Sequence, residues 1–192
     1  IVNKAIKNNL YIISDEVYSE YAFTSFQSIL QYSDCNSIFI SSFSKSHSMT
    51  GFRIGYAVSS KENISRMSEL EGLALTCIPE FLQRSAIKAL ECDENVNKNV
   101  SIIKSRSKYL CNLLDDMHVD YYHPDGGFYI FIKLRQNNFD SEKFAINLLK
   151  NQHVSIVPGN IFGDYSNFIR ISLCQPEKKL KEAMKRMEIA LK

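Results

Sequence analysis

Two short, uninterrupted apolar runs constrain the fold of this chain more than any other feature. Leu10–Ser14 (LYIIS) and Ser37–Ser41 (SIFIS) hold no regular alternation of polar and apolar positions. A strand with one wet face alternates, whereas a strand covered on both faces does not, and parallel sheets are the ones covered on both faces by helices. The chain between the two runs is long enough for the crossover that parallel strands require. A third run, Arg53–Ser59 (RIGYAVS), follows closely. The front of the chain therefore reads as α/β, with a mostly parallel sheet and helices.

From Lys61 to about Leu114 the pattern becomes helical. Ile64, Met67, Leu70, Leu73 and Leu75 predict one amphipathic helix, Phe81–Leu90 a second and Val96–Leu114 a long third, their apolar stripes read as core. The last third changes again. Pro124-Asp-Gly-Gly127 turns into a strand at Phe128–Leu134, then come a helix at Ser141–Lys150, a strand at Val154–Val157, a strand at Phe168–Leu173 and a helix from Pro176 to Leu191. This is an α+β unit. A boundary is expected within about residues 75–95, giving domains 1–80 and 81–192. The chain opens inside a helical pattern (Val2, Ala5, Ile6), and a fragment of a longer protein is expected.

Composition narrows the function classes. The 192 residues carry 23 Lys and Arg against 21 Asp and Glu, a net charge of +2 that gives no support for a nucleic-acid binder. No apolar run approaches the roughly 20 residues that span a bilayer. No secretory signal pattern is present. Five cysteines, scattered and never paired as C-x-x-C, argue against a disulfide framework or a zinc knuckle and for a reducing, cytoplasmic setting. The histidines show no metal-binding spacing, so no metal site is expected.

Chemistry concentrates in Ser41-Ser-Phe-Ser-Lys-Ser-His-Ser-Met-Thr-Gly-Phe-Arg-Ile-Gly-Tyr56. The stretch leaves the end of a buried strand, where open α/β sheets place ligands. Lys45 lies among small polar residues and can form a Schiff base with an aldehyde cofactor. Ser42 and Ser44 can donate to phosphate oxygens, and Arg53 can add a charge-assisted, bidentate contact. Gly51 and Gly55 allow tight turns and close backbone approach. A second stretch, Ser14-Asp-Glu-Val-Tyr18, also leaves a strand. Asp15 can face a ring nitrogen, Tyr18 can reach a phenolic oxygen and Val17 can pack on a ring face. On residue types alone, the first stretch equally suits a solvated serine-rich loop, and Asp15 a helix N-cap.

Taken together the two stretches resemble the class I/II aminotransferases, pyridoxal-phosphate enzymes of fold type I (the aspartate aminotransferase superfamily). The strand-end D-E-x-Y matches Asp15, Glu16 and Tyr18. The S-x-S-K-x-x-x-M-T-G-x-R-x-G-Y pattern matches Ser42, Ser44, Lys45, Met49, Thr50, Gly51, Arg53, Gly55 and Tyr56. Pro124–Tyr129 is similar to the P-x-G-G-x-Y turn, Val157–Gly163 to V-P-G-x-x-F-G, and Phe168–Ser172 to F-x-R-[IL]-[SA]. The similarity runs in one order from about residue 1 to residue 192.

The resemblance implies a C-terminal half: the last part of the cofactor-binding large domain, then the small domain. It implies pyridoxal 5'-phosphate as cofactor, L-amino acid and 2-oxo acid as substrates, a role in amino-acid metabolism, and a homodimer for the complete enzyme, with no nucleic acid or membrane involved. Lys45 would be the Schiff-base lysine and general base, Asp15 the partner of the pyridinium nitrogen, and Tyr18 the contact to O3′. Val17 would lie against the ring, Ser42, Ser44 and Arg53 would hold the phosphate, and Arg170 would clamp the substrate α-carboxylate. The family's glycine- and serine-rich helix start, its ring-stacking aromatic and its N-P-x-G asparagine have no counterpart in this sequence, so the chain alone is expected to be incomplete and inactive. The same scaffold also hosts C–S lyases and decarboxylases, and a non-catalytic truncated domain is the remaining alternative.

Overall fold

A six-residue helix, α1 (Val2–Lys7), leads into β1 (Ile12–Asp15), which pairs in parallel with β2 (Ser37–Ser42), Asp15 lying opposite Ile40. The computed structural model describes residues 1–135 and 139–191, and divides them into two compact units, Ile1–Lys98 and Asn99–Lys192.

In the first unit, β2 runs into a four-residue helix, α2 (Phe43–Ser46), then a 3₁₀ turn at Thr50–Phe52, then β3 (Gly55–Val58). β3 pairs antiparallel with β2, Gly55 against Ser42, so the expected mostly parallel sheet has one parallel and one antiparallel pairing in the order β1-β2-β3. The link from β2 to β3 is compact and returns to the edge it left, whereas a parallel neighbour needs a long crossover. Ala5 of α1 packs with Ile29, Cys35 and Phe39 over one face of the sheet, with Val2 and Ile12 at the margin. The run expected to be covered on both faces is covered on one. Ile12 and Ser14 are half-buried, whereas Ile13 and Asp15 are exposed.

α3 (Lys61–Leu75) and α4 (Glu80–Ala89) follow. α4 contributes Ala86 to a cluster with Phe43 and Ile54, joined by Met49, Leu82 and Ala89. That packing ties α4 to the first unit. The units part at Lys98, within α5 (Asp93–Asp116), rather than at the 80/81 position read from the sequence. α3 forms where its periodicity predicts, but its stripe is not core. It buries no residue, and Leu70, Leu73 and Leu75 keep 66%, 87% and 65% of their surface exposed. Periodicity specifies a face; only a partner element buries it.

The second unit is α+β. After α5 come β4 (Asp120–Tyr122), β5 (Tyr129–Lys133), α6 (Ser141–Gln152), β6 (Val157–Pro158), a 3₁₀ turn at Gly159–Phe162, β7 (Phe168–Ser172) and α7 (Glu177–Leu191). The strands form one antiparallel sheet in the order β4-β5-β7-β6. β4, three residues with two tyrosines, has no clear pattern in the sequence. β6 is shorter than the expected Val154–Val157 because α6 ends late: His153 is left-handed (φ 55°), and the Val154 amide still donates to Leu148 O.

The period-2 alternation of β5 and β7 gives this sheet two different faces. Ile130 and Ile132 lie opposite Ile171 and Ile169 on one face; Ile130, Ile132 and Ile169 are fully buried, as are Leu110, Leu114, Leu148 and Leu173. On the other face Tyr122, Phe131, Arg170 and Val157 form one row across the four strands.

Asp140 caps α6, its Oδ1 accepting the amides of Lys143 (3.0 Å) and Glu142 (3.2 Å). The Lys143 amide above all, with the Lys143 ammonium, holds this carboxyl below the usual carboxylate range. A depressed folded-state value stabilises the fold above the unfolded pKa and ceases to do so as pH falls through the folded value. Asp140→Ala is therefore expected to lower the thermal midpoint at neutral pH, and the deficit to narrow below about pH 4, the ordinary range of an aspartate. Thermal melts followed by circular dichroism at both pH values check this; a deficit independent of pH would reject the charge-based part.

Candidate active site

Because β1 and β2 run parallel, their C-terminal ends open on the same edge of the sheet. Asp15 is the last residue of β1 and Ser42 the last of β2. This is the edge at which open α/β sheets bind ligands.

Ser42 is extended (φ −152°), and its hydroxyl accepts the Ser44 amide at 3.0 Å, capping α2. The same hydroxyl donates to Ile54 O at 3.2 Å. Ser42 thus ties β2 to Ile54 and caps α2 at the same strand end. The Ser44 hydroxyl forms no hydrogen bond among the described residues, while the Ser44 carbonyl accepts from Thr50 Oγ1 at 2.9 Å. Lys45 lies in the one turn of α2, and its Nζ stands 5.9 Å from the Tyr18 ring centroid. The Lys45 carbonyl accepts from the buried Tyr21 hydroxyl at 3.4 Å and from the Ser48 amide at 3.3 Å. The lysine backbone is therefore pinned from two sides. Next to it, Ser46 Oγ meets His47 Nδ1 at 2.8 Å, and His47 Nε2 is buried without a partner.

Asp15 Oδ1 accepts the Val17 amide at 3.2 Å, closing a turn that carries Val17 and Tyr18, both half-buried, past the strand end. Its other carboxylate oxygen has no protein partner among the described residues. Asp15 is not a helix N-cap, as residue type alone allowed. Glu16 is the buried carboxylate here. Its Oε1 accepts the Ile29 amide at 2.8 Å and the Ser14 hydroxyl at 3.0 Å, which orders the chain beyond Asp15.

Arg53 closes the loop in a left-handed conformation (φ 53°) and donates from Nη1 to Thr50 O at 2.9 Å. Its other donors form no ion pair among the described residues. Thr50 thus links the Ser44 carbonyl to the Arg53 guanidinium. Left-handed backbone at non-glycine residues is strained, and this loop holds two such residues, Ser48 and Arg53. The glycines divide. A Cβ on Gly55 would lie 2.7 Å from Ser41 O, so close strand approach requires glycine there. Gly51 has open space around it and no positive φ, and nothing in the structure requires glycine at that position.

Arg170 lies in the second unit, opposite Phe131 on one side and Val157 on the other. Its guanidinium carbon is 4.1 Å from the Tyr129 ring centroid and 4.9 Å from that of Phe162. Nε is buried with no hydrogen-bond partner, and no carboxylate pairs with this guanidinium among the described residues.

Sequence reasoning missed the backbone clasp from Tyr21, the ordering carboxylate of Glu16 and the two rings against Arg170. Tyr129 and Phe162 stand inside the P-x-G-G-x-Y and V-P-G-x-x-F-G matches, so a signal existed, but their meeting at Arg170 depends on strand register. Among the described residues no cluster of three or more His, Cys, Asp or Glu is placed to hold a metal ion, and no helix is long and apolar enough to cross a membrane.

This architecture is that of an aminotransferase-type α/β chain. It matches the crystal structure of aspartate aminotransferase from Thermotoga maritima with a TM-score of 0.91 at 39% identity, over 99% of this chain and 50% of that one. The profile of the family described as aminotransferase class I and II matches residues 1–187, and the chain belongs to that family. Curated relatives include the aspartate aminotransferases of Thermotoga maritima (39% identical over 98% of this chain) and Thermococcus kodakarensis (37% over 100%). The chain spans about half the length of each, 49% and 51%.

Proposed function

We propose that this chain carries the lysine side of a pyridoxal 5'-phosphate site and the substrate-carboxylate arginine of an enzyme that moves an amino group from an L-amino acid to a 2-oxo acid. One observation carries the reading: Lys45, its backbone clasped by Tyr21 and Ser48, is set at a strand end whose neighbouring strand ends in Asp15, with the open donors Ser44 and Arg53 linked through Thr50. The donor set suits this cofactor. An amine suits an aldehyde, a carboxylate with one open oxygen suits a ring nitrogen, a phenol suits a ring hydroxyl, and a hydroxyl with a guanidinium suits a phosphate.

When bound, pyridoxal phosphate supplies an aldehyde and a ring that draws electron density from the substrate Cα. Lys45 Nζ would hold the cofactor at its aldehyde carbon and would carry the proton at the substrate Cα. Asp15 holds a proton at the ring nitrogen through its open oxygen. Tyr18 orients the ring through its hydroxyl, and Val17 supports the ring face. Ser42, Ser44 and Arg53 would hold the phosphate, with the Ser42 hydroxyl also accepting the Ser44 amide. Arg170 orients the substrate by its α-carboxylate, a planar fork reading a planar anion.

Borohydride reduction in the presence of near-stoichiometric pyridoxal phosphate, followed by peptide mapping, tests the central assignment. The pyridoxyl group is expected on the peptide holding Lys45; predominant labelling of another lysine overturns it.

A further inference from the structure

Arg170 is a cation in an aromatic setting. Its row on the sheet contains Phe131 directly opposite and no acidic side chain. Tyr129, two residues before Phe131 on β5, lies on the same face and brings its ring to 4.1 Å from the guanidinium carbon. Phe162 reaches the guanidinium from the 3₁₀ turn, at 4.9 Å, and stands edge-on to Phe131 at 5.8 Å. The turn is itself constrained. A Cβ on Gly159 would lie 2.2 Å from Tyr165 O and 2.6 Å from Phe168 O, and Gly163 sits at φ 115°. The Phe162 ring is therefore delivered from a tightly seated loop.

Resting on the reading of Arg170 as a carboxylate site, we propose that Tyr129 and Phe162 are positioning residues that hold the guanidinium flat and desolvated so that its terminal N–H groups present one in-plane fork. A ring face attracts a guanidinium without consuming an N–H donor, unlike a carboxylate neighbour. Nε is buried and has no hydrogen-bond partner among the described residues, and no carboxylate among them pairs with the guanidinium. Lower local dielectric strengthens the bond the terminal nitrogens then make to an incoming carboxylate. Fewer accessible rotamers reduce the entropy lost on binding. Carboxylate affinity thus depends on two side chains that need not touch the carboxylate.

The test uses the full 192-residue chain labelled with ¹⁵N-arginine, with acetate as the probe and chloride at matched ionic strength as the control. The Arg170 Nε–Hε signal is assigned by its loss in Arg170→Lys. It is expected to lie upfield of the exposed Arg66 and Arg84 signals, displaced by the ring currents, and to move saturably with acetate. In Phe162→Leu, a change at a 43% exposed position that keeps apolar bulk, the signal should return toward those of Arg66 and Arg84. The acetate Kd should rise about three- to tenfold, the range expected for losing one cation–ring contact. Phe162→Tyr, which keeps a ring, should restore both, and circular dichroism should show the same fold in all three proteins. An unchanged acetate Kd in Phe162→Leu overturns the inference while leaving Arg170 as the carboxylate site. An Arg170 signal that never responds to acetate in the unsubstituted chain overturns the carboxylate reading and the inference with it.

Discussion

In the complete enzyme, Lys45→Ala is expected to remove the visible-range absorbance of lysine-linked cofactor and to lower amino transfer by at least about 10²–10⁴-fold, the usual contribution of a positioned proton-transfer group. That range corresponds to about 2.7–5.5 kcal/mol of barrier. The fold should survive, because the bonds that hold this turn use the Lys45 backbone. The Tyr21 hydroxyl and the Ser48 amide both donate to the Lys45 carbonyl, and alanine keeps that carbonyl. Absorbance titration with pyridoxal phosphate and an assay with 2-oxoglutarate as acceptor check the two parts separately. Retained absorbance together with near-normal transfer would show that another lysine performs the chemistry.

Asp15→Asn should cost on the order of a hundredfold or more in turnover, judging by the loss of single groups that stabilise developing charge. The substitution is a clean one because of what the structure shows. The Val17 amide donates to Asp15 Oδ1 at 3.2 Å, and an asparagine oxygen accepts the same bond, so the turn carrying Val17 and Tyr18 is kept. What disappears is the negative charge and the open second oxygen. Steady-state kinetics of Asp15→Asn beside Asp15→Ala separate charge from turn: similar losses in both assign the effect to charge, whereas near-normal turnover in Asp15→Asn rejects the role of the carboxylate at the ring nitrogen.

Much of the site could be read before any coordinates because its parts are local. Asp15 directly follows one apolar run and Lys45 comes four residues after the other, and a run's end is visible in sequence. The turn between Lys45 and Arg53 is carried by short-range bonds, such as Ser42 to Ser44 and Thr50 to Ser44. Other parts depended on distant neighbours. The bond from the Ser42 hydroxyl to Ile54 O, a dozen residues on, has no signal in the sequence. Gly51 read as a close-approach glycine, and the left-handed backbone falls instead on Ser48 and Arg53.

By itself the sequence determined most of the element types, the strand end at Asp15 and the stretch after the second strand that bears Lys45, and the motif pattern of the aminotransferase family, because each follows from side-chain periodicity, turn chemistry and short-range order. Tertiary structure alone decided that β3 turns back antiparallel, that α4 belongs to the first unit, that the α3 stripe stays exposed, and that Tyr129 and Phe162 meet Arg170. The reason is the same in each case. A helix or strand prescribes which side chains share a face, but the partner of that face is set by strand register and by which element packs there, and both are fixed by residues far away along the chain.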